Sequence, residues 1–545
     1  MSAYKKIKRS WKSLHLRWLL GSLFLGLCIA TPLLVIGIRI FDKPGETWYH
    51  LLDTVLWDYV NNTLIIFGAT GALTLVFGVS TAYLISLFNF PGRKFFSWAL
   101  ILPLSIPTYI MAFTYSGIFG YTGPYSTFLR NKFSGSTAEM LSIDVMNMGG
   151  LVILLALALY PYVFISSRVA FSGKFQNYRE ASSSLGISQF RTFFRIMLPL
   201  ARPSIFGGLF LVLMEVLNDY GAMKYFGINT FTTGIFTAWF SMNDLSAAIK
   251  LAGILMVIVF LMMGIEKWQR RNKKFSESAV ENQQKHFTLS GYKKWGATLL
   301  CTLIFVAGFA LPFSFLVSDS FLTWEVVWND GFTEMFWNSI LMAVLAAAFI
   351  IVMGVVIGFS KRINRTLIGQ IVSMLARVGY TIPGAVIAVG VIIVFTFLDR
   401  QYNILTDTTG LLLTGSIAAL LFGYIVRFMA VGYNSIDSAF EKQVKGLDEA
   451  SMSLGKSPLK TLTRVNLPLI RSGIFAGAIL VFVDVLKELP LTLILRPFNF
   501  YTLATKAFEY ADDEMLAKAA LPSVCIVLAG IVPIYLLHRL MQKKL

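Results

Sequence analysis

Long apolar blocks recur along the whole chain, and each is about as long as a membrane-crossing helix. Such a helix needs about 20 apolar residues, and about twelve segments of the sequence meet that requirement. Transmembrane barrel strands are short and alternate in polarity, whereas residues 151–159 and 339–359 are continuously apolar. The sequence therefore predicts an all-α membrane protein. The predicted spans are 18–40, 63–88, 95–120, 149–170, 201–222, 246–265, 295–317, 336–359, 372–398, 410–432, 470–495 and 517–538.

Positive charge is concentrated in alternate loops between these spans. The net charge is +18, although only 14% of the residues are charged, against roughly a quarter in soluble proteins. This arrangement follows the positive-inside rule and predicts a multi-pass protein of the bacterial inner membrane with both termini in the cytoplasm. Membrane lipid, and not nucleic acid, is the expected partner of these charges. The basic residues are Lys5, Lys6, Lys8, Arg9, Lys12, Arg17, Arg93, Lys94, Arg191, Arg195, Arg202, Lys267, Arg270, Arg271, Lys273, Lys274, Lys361, Arg362, Arg365, Arg539, Lys543 and Lys544.

A glutamate-alanine-serine motif with a later glycine and proline occurs twice in the chain. Every residue of the second copy follows its counterpart by 269 positions. Self-similarity at a fixed spacing is the sequence signature of a repeated structural unit. The first copy includes Glu180, Ala181, Gly186 and Pro199, and the second includes Glu449, Ala450, Gly455 and Pro468.

The repeats divide the chain into two six-helix halves. The first half is predicted at 1–265 and the second at 295–545, with a charged cytoplasmic linker at 266–294. Because each half has an even number of spans, the two repeats have the same orientation. A pathway between two such repeats would lie on an axis along the membrane normal.

Both copies of the motif fall in a predicted cytoplasmic loop of about 30 residues, far longer than a simple connection needs. The glycine allows a bend between two short helices, and the proline suits the first turn of the next membrane helix. One interpretation is a pair of amphipathic helices on the membrane surface. The other is a docking element, since a small-residue patch beside a glutamate fits the groove of a partner.

The motif resembles the signature of permease subunits of binding-protein-dependent ATP-binding-cassette (ABC) importers, with Ser182 and Ser451 in place of the usual alanine. The resemblance implies the type I importer permease (MetI-like) fold of two parallel six-helix repeats. It also implies that the short helices dock into two ABC ATPase subunits, whose closure drives alternating access. A periplasmic substrate-binding protein would deliver the substrate. Under this interpretation, a bulky residue at Gly186 or Gly455 uncouples ATP hydrolysis from transport.

The chain shows no credible ATP-hydrolysing site of its own. Residues 455–457 read Gly-Lys-Ser, but a phosphate-binding loop needs a glycine at position 450, which is alanine. The three cysteines are widely separated and predict neither a disulfide framework nor a zinc site. We therefore expect a transport subunit that is not an enzyme and binds no cofactor, with ATP used by its partners.

Two pairs of acids near the ends of equivalent spans are candidates for the translocation pathway. Glu215 and Asp219 on the fifth span correspond to Asp484 and Glu488 on the eleventh. Acids within a membrane are costly and are functional candidates by default, and carboxylates suit a hard cation. The alternative is that they are helix-end residues near water, with Lys487 neutralising Asp484. No metal ligand is firmly assigned.

Two prolines at related positions, Pro107 and Pro383, fall inside predicted spans. A membrane proline breaks a helix around a pathway or only kinks it for packing, and the sequence leaves both open.

The stretches 484–499 and 231–236 resemble the fused ferric-iron importer permeases, which implies Fe(III) as substrate. Permeases for thiamine or phosphonate compounds share much of this pattern and remain the alternatives. An ion-coupled secondary transporter would keep its coupling acids near the midplane and would need no docking helices. Neither a channel selectivity ring nor an enzyme's catalytic cluster is visible in the sequence.

Overall fold

The structure is a computed structural model that describes residues 2–133, 135–171, 181–182, 184–271, 287–364, 366–444 and 446–542. In this part of the chain, eleven helices are long and apolar enough to cross a membrane, and a bent pair of helices makes a twelfth candidate. The candidates are Leu16–Arg39, Leu56–Leu87, Met148–Phe171, Gln189–Asn218, Leu245–Trp268, Tyr292–Val327, Thr333–Asn364, Gly384–Thr406, Ile417–Glu441, Pro458–Leu486 and Leu516–Leu536, with Arg93–Ser105 and Thr108–Lys132 as the bent pair.

These elements match the twelve predicted spans in order, and the predicted all-α class is confirmed. We number the helices of the described residues in chain order. They are α1 Ser2–Arg39, α2 Glu46–Thr54, α3 Leu56–Leu87, α4 Arg93–Ala99, α5 Thr108–Phe119, α6 Pro124–Lys132, α7 Gly135–Leu141, α8 Met148–Phe171, α9 Gln189–Thr192, α10 Leu198–Asn218, α11 Gly221–Tyr225, α12 Phe231–Phe236, α13 Leu245–Arg271, α14 Tyr292–Phe305, α15 Leu311–Val327, α16 Thr333–Asn364, α17 Leu367–Val378, α18 Gly384–Thr406, α19 Ile417–Glu441, α20 Leu447–Ser453, α21 Pro458–Thr461, α22 Leu467–Leu486, α23 Pro490–Leu495, α24 Leu503–Asp512 and α25 Leu516–Gln542.

Short 3₁₀ and π-helical turns connect some of these helices. Two strands of two residues each pair in parallel, with Phe88 opposite Phe287 and Asn89 opposite Thr288. The 3₁₀ turns are Leu102–Ser105 and Gly379–Thr381, the π-helical turns are Phe193–Met197, Thr237–Ser241, Val306–Ala310, Trp328–Phe332 and Leu462–Asn466, and the strands are Phe88–Asn89 and Phe287–Thr288.

The chain forms two compact units, and their bounds do not follow the sequence repeats. The first unit comprises Met1–Gly45, Asp244–Gly253 and Thr333–Thr505. Helix α1 thus packs against α16, α17 and α18 of the second repeat. Trp18 meets the Phe359 ring edge-on, with 5.0 Å between centroids.

The second unit comprises Glu46–Asn243, Ile254–Phe332 and Lys506–Leu545. Helices α3, α8 and α10 pack together in it. Gly78 allows a close crossing, since a Cβ there would lie 2.7 Å from the Val163 side chain. Small residues at helix crossings are typical of membrane proteins, because close backbones gain van der Waals contact.

Both sequence-related prolines break a helix. At the first break, the helical segments on either side of Pro107 meet at 96°, and Ile106 is extended, with φ −97° and ψ 111°. At the second, the 3₁₀ turn ends at extended Ile382, with φ −94° and ψ 133°. Proline disfavours helical geometry in the preceding residue. Helices α5 and α18 therefore start anew after each proline, at Thr108 and Gly384.

Candidate docking segments and buried carboxylates

The second copy of the motif folds as two short helices joined by a reversal. Helix α20 begins at Leu447, and the chain turns at Gly455, whose φ is +78°. The amide N–H of Lys456 donates to the carbonyl of Ser451 at 3.3 Å, a bond that closes a Schellman-type helix end. The Ser457 hydroxyl then caps α21 by accepting from the Lys460 N–H at 3.3 Å. The predicted bend at the glycine is present.

The described part of the first copy has the same local geometry. Gly186 has φ +71°, and the Ile187 N–H donates to the Ser182 carbonyl at 2.9 Å. Ser188 caps α9 by accepting from the Arg191 N–H at 3.5 Å. Ala181 lies in the helical part before the turn, whereas Glu180 lies outside the described residues. We call 181–197 and 447–466 the first and second docking segments.

Both docking segments expose large apolar side chains at two equivalent positions, which sequence reasoning did not single out. Leu185 is 78% exposed and Phe190 is 73% exposed, and their counterparts at the 269-residue offset, Leu454 and Leu459, are 80% and 58% exposed. Paired exposed apolar residues mark interaction surfaces. The matching offset is the signal that would have identified them. The arrangement suits a helix that inserts into a partner's groove.

The docking segments continue directly into long helices. Residues Gln189–Asn218 and Pro458–Leu486 are each one uninterrupted helical run. Pro199 and Pro468 lie in the first turn of α10 and α22, as the sequence predicts. A π-helical turn precedes each proline, so the helical run begins well before the predicted spans at 201 and 470.

Asp219 and Glu488 lie just beyond the fifth and eleventh spans, and not on them as the sequence predicts. Helix α10 ends at Asn218, and α22 ends at Leu486. One Asp219 carboxylate oxygen accepts from the Ala222 N–H at 3.0 Å, and one Glu488 oxygen accepts from the Leu491 N–H at 3.0 Å. Each acid therefore caps the short helix that follows it. Both side chains are buried.

The short helices α11 and α23 bring these acids to the proline breaks. Helix α11 packs against α5, and α23 packs against α18. At the second break, a Cβ on Gly384 would lie 2.7 Å from Glu488 Oε1 and 2.8 Å from Arg427 Nη1. In each repeat, therefore, the short helix capped by the acid packs against the helix that starts after the proline.

Glu488 forms a buried ion pair with a residue that the sequence analysis missed. Arg427 Nε lies 3.0 Å from Glu488 Oε2, and both side chains are 6% exposed. Arg427 Nη1 also donates to the Ile382 carbonyl at 3.3 Å. A lone arginine within the span Ile417–Glu441 was a detectable signal, because charges inside spans are expensive.

The other two acids differ from this pair. Asp484 is bonded to Lys487 at 2.9 Å, which agrees with the helix-end alternative for this acid. Glu215 is half-buried on α10. In the parts of the chain that the structure describes, no three or more His, Cys, Asp or Glu residues come together as a group able to hold a metal ion.

In both repeats, an asparagine side chain donates a hydrogen bond to the backbone of the segment that follows the short helix. The Asn62 amide donates to the Asn229 carbonyl at 2.9 Å, and the Asn338 amide donates to the Tyr501 carbonyl at 3.3 Å. A threonine pair with three-residue spacing follows each carbonyl. The N–H of the first threonine donates to the second hydroxyl at 2.7 Å in Thr230 and Thr233, and at 2.9 Å in Thr502 and Thr505.

The chain matches one family model over more than half of its length. Residues 74–274 and 350–545 match the family described as binding-protein-dependent transport system inner membrane component. The two matched regions fall in the two sequence repeats, so the predicted two-repeat permease fold is confirmed.

Several curated proteins are similar to this chain. An Fe(3+)-transport system permease protein of Haemophilus influenzae is 23% identical over 95% of this chain and 97% of its own length. A putative ferric transport system permease of the same organism is 22% identical over 84% of this chain and 73% of its own length. A molybdate/tungstate transport system permease of Pyrococcus abyssi is 25% identical over 47% of this chain and 95% of its own length.

Proposed function

Since the chain belongs to the family of binding-protein-dependent transport system inner membrane components, we propose that it imports ferric iron with energy from separate ATPase subunits. It is a multi-pass permease subunit of the inner membrane and not an enzyme. The observation that carries the choice of iron is the similarity to an Fe(3+) permease along nearly the full length of both chains. The molybdate/tungstate permease, in contrast, matches only 47% of this chain.

The docking segments are the proposed contact with two ABC ATPase subunits. Their exposed pairs, Leu185 with Phe190 and Leu454 with Leu459, present the apolar anchors that a groove on a partner requires. The alternating basic loops support a cytoplasmic location for both segments and for both termini. ATP would be used by the partners, and this chain would bind no cofactor.

The long helices would transmit ATPase movement into the membrane. The runs Gln189–Asn218 and Pro458–Leu486 are each about 45 Å long at 1.5 Å per residue. Each starts in a docking segment and ends beside a buried acid, Asp219 or Glu488. A rigid run of this kind moves its two ends together, so ATPase closure would reposition the acids at the proline breaks. Alternating access follows from this movement.

Fe(III) would arrive from a periplasmic binding protein and pass the acid-bearing breaks. A hard cation prefers oxygen donors, and Glu215 and Asp219 supply carboxylate oxygens near the end of the helical run Gln189–Asn218. Asp484 and Glu488 lie near the end of the run Pro458–Leu486, where they are paired with Lys487 and Arg427. The second candidate substrate is an oxyanion. It is favoured by the similarity to a molybdate/tungstate permease and by the buried cation Arg427.

Uptake of radiolabelled Fe(III) under iron limitation tests the proposal in cells lacking this chain. Restoring the chain should restore uptake, whereas a Glu180→Ala/Glu449→Ala double variant should be produced in normal amounts and fail to import. Uptake of molybdate, sulfate, thiamine and phosphonates is measured in the same cells. If iron uptake is indifferent to the chain while another of these substrates depends on it, the permease assignment stands and iron is the wrong substrate.

A further inference from the structure

A buried acid fixes the second docking segment to the membrane helices. Asp448 lies in the first turn of α20, directly before Glu449, and is 5% exposed. One of its carboxylate oxygens is bonded to Arg362 Nε, and the other accepts from the Asn466 amide at 2.9 Å. An acid in the first helical turn also interacts favourably with the helix dipole. Three interactions therefore fix the position of the Asp448 carboxylate: the ion pair with Arg362, the hydrogen bond from Asn466 and the dipole of α20.

Arg362 connects this acid to two membrane helices. It lies near the end of α16 and donates from Nη1 to the Phe440 carbonyl at 2.8 Å and from Nη2 to the Val444 carbonyl at 3.0 Å. Phe440 belongs to α19. The planar guanidinium can serve several acceptors at fixed angles, which lysine cannot do. Arg362 thereby joins α16, the end of α19 and the docking helix.

Asn466 connects the same acid to the helix that enters the membrane. It is fully buried in the π-helical turn directly before α22. Ser451 and Thr461 form a further buried bond across the segment, with 2.9 Å between their hydroxyl oxygens. Docking helix α20 and the start of α22 are thus bonded to each other by side chains as well as by the chain itself.

The first repeat lacks the residues that make these bonds. At the offsets that relate the two copies, Arg362 corresponds to Ser86, Asn466 to Met197 and Asp448 to Arg179. The Ser86 hydroxyl is buried without a hydrogen-bond partner in the described structure. Arg179 lies outside the described residues.

We propose that Arg362, Asp448 and Asn466 form a clamp that makes the second docking segment move as one body with α16 and α22. The three corresponding positions of the first repeat carry other residues, so the two docking sites are functionally inequivalent. ATPase closure is transmitted chiefly through the second repeat. This inference rests on the proposed docking of ATPase subunits, and it adds positioning residues to the coupling mechanism.

The test compares substrate imported per ATP hydrolysed in proteoliposomes that contain the complete complex with its ATPase and binding protein. Asp448→Asn removes the ion pair but keeps an acceptor for Asn466, and Arg362→Ser introduces the first repeat's residue. Both should lower the ratio by about tenfold while the ATPase still co-purifies, because removing one partner leaves a buried charge unpaired. The double variant Arg362→Asp/Asp448→Arg should regain part of the ratio.

Lys361→Met is the matched control. Lys361 neighbours Arg362 and pairs with Asp437 at 2.8 Å, but the buried acid keeps its partner Arg377, and neither contact involves the docking helix. The import ratio of this variant should stay unchanged. An unchanged ratio in Asp448→Asn overturns the clamp, even if Arg362→Ser fails to assemble. Absence of ATP-driven import by the unmodified complex would instead contradict the proposed function.

Discussion

Asp219 and Glu488 occupy equivalent places in the two repeats but have different electrostatic surroundings. Each caps the short helix that follows a long membrane helix, and that short helix packs beside a proline break. Glu488 is neutralised by Arg427, whereas the position equivalent to Arg427 is Ala158. Across the described ranges, no ion pair to Asp219 is present.

The comparison separates a structural role from an electrostatic one. Both acids cap a helix, and a neutral amide could accept the same backbone bond. The two sites differ in net charge. The second repeat buries the ion pair of Glu488 with Arg427, whereas the first buries the Asp219 carboxylate without a paired cation among the described residues. A buried carboxylate within a membrane is expensive and is a functional candidate by default, which favours a role for Asp219 in attracting a cation. We therefore propose that Asp219 attracts the cation and that Glu488 has a mainly structural role.

The largest expected effect comes from breaking the buried pair of the second repeat. Arg427→Met should lower the free energy of unfolding by about 3–5 kcal/mol, because it leaves Glu488 buried and unpaired. Thermal unfolding of the detergent-solubilised protein measures this loss. Arg427→Met/Glu488→Gln should recover most of it, since no buried charge remains.

Lys487→Met serves as the control for that experiment, because it removes the more exposed pair with Asp484. Such a pair is worth only about 0–1 kcal/mol. If Arg427→Met and Lys487→Met lower the free energy of unfolding equally, the buried pair contributes no more to stability than the exposed pair.

The next effect concerns transport. Asp219→Asn keeps an acceptor for the Ala222 N–H and removes the charge, and a charge-assisted contact is worth about 1.5–3 kcal/mol, so Fe(III) uptake should fall by about tenfold or more. The melting temperature should change little. Radiolabelled uptake at matched protein levels checks this, and normal uptake by Asp219→Asn would remove the assigned cation role.

A smaller effect is expected at the two docking turns. Gly186 and Gly455 have positive φ, and no atom lies within 4 Å of an added Cβ at either position. The cost of a side chain is therefore backbone strain alone, about 1–2 kcal/mol for valine and less for asparagine. Transport per ATP should fall more for Gly455→Val than for Gly186→Val if the clamp makes the second segment the stiffer one. Equal transport by the valine and asparagine variants would contradict a strain mechanism.

The smallest effect concerns the repeated asparagines. Asn62→Leu and Asn338→Leu each remove one bond to a backbone carbonyl, at 2.9 and 3.3 Å, and should each cost about 1 kcal/mol of stability. Asn338→Leu should cost less, because the neighbouring Ser339 hydroxyl still accepts from the Leu503 N–H at 2.7 Å. Chemical denaturation of the two variants measures the difference, and a larger loss from Asn338→Leu would reverse this expectation.

Much of the fold could be predicted from sequence because lipid imposes simple rules on length and polarity. The spans and the turns at Gly186 and Gly455 depend on local properties of the chain. The compact units could not be predicted, since the packing of α1 against α16–α18 is a long-range contact with no periodic signal. The division into two halves with a linker at 266–294 stays a prediction, and residues 272–286 of that linker lie outside the described residues.

The candidate site was predicted in part. The offset between repeats identified the acids and the docking glycines, because repeated chemistry is visible in the sequence. It did not reveal that Asp219 and Glu488 cap helices, because the helix ends at Asn218 and Leu486 depend on tertiary packing. It also missed Arg427, and it placed Arg362 only among the basic loop residues, because the corresponding positions of the first repeat, Ala158 and Ser86, carry no arginine.

The most direct test of the central claim is uptake of radiolabelled Fe(III) into proteoliposomes that contain this chain, its ATPase and its binding protein. We expect uptake that requires ATP and the loaded binding protein, with no comparable uptake of molybdate or sulfate. Fe(III) uptake that is independent of ATP, or ATP-driven uptake of an oxyanion in its place, would contradict the assignment as a ferric-iron importer.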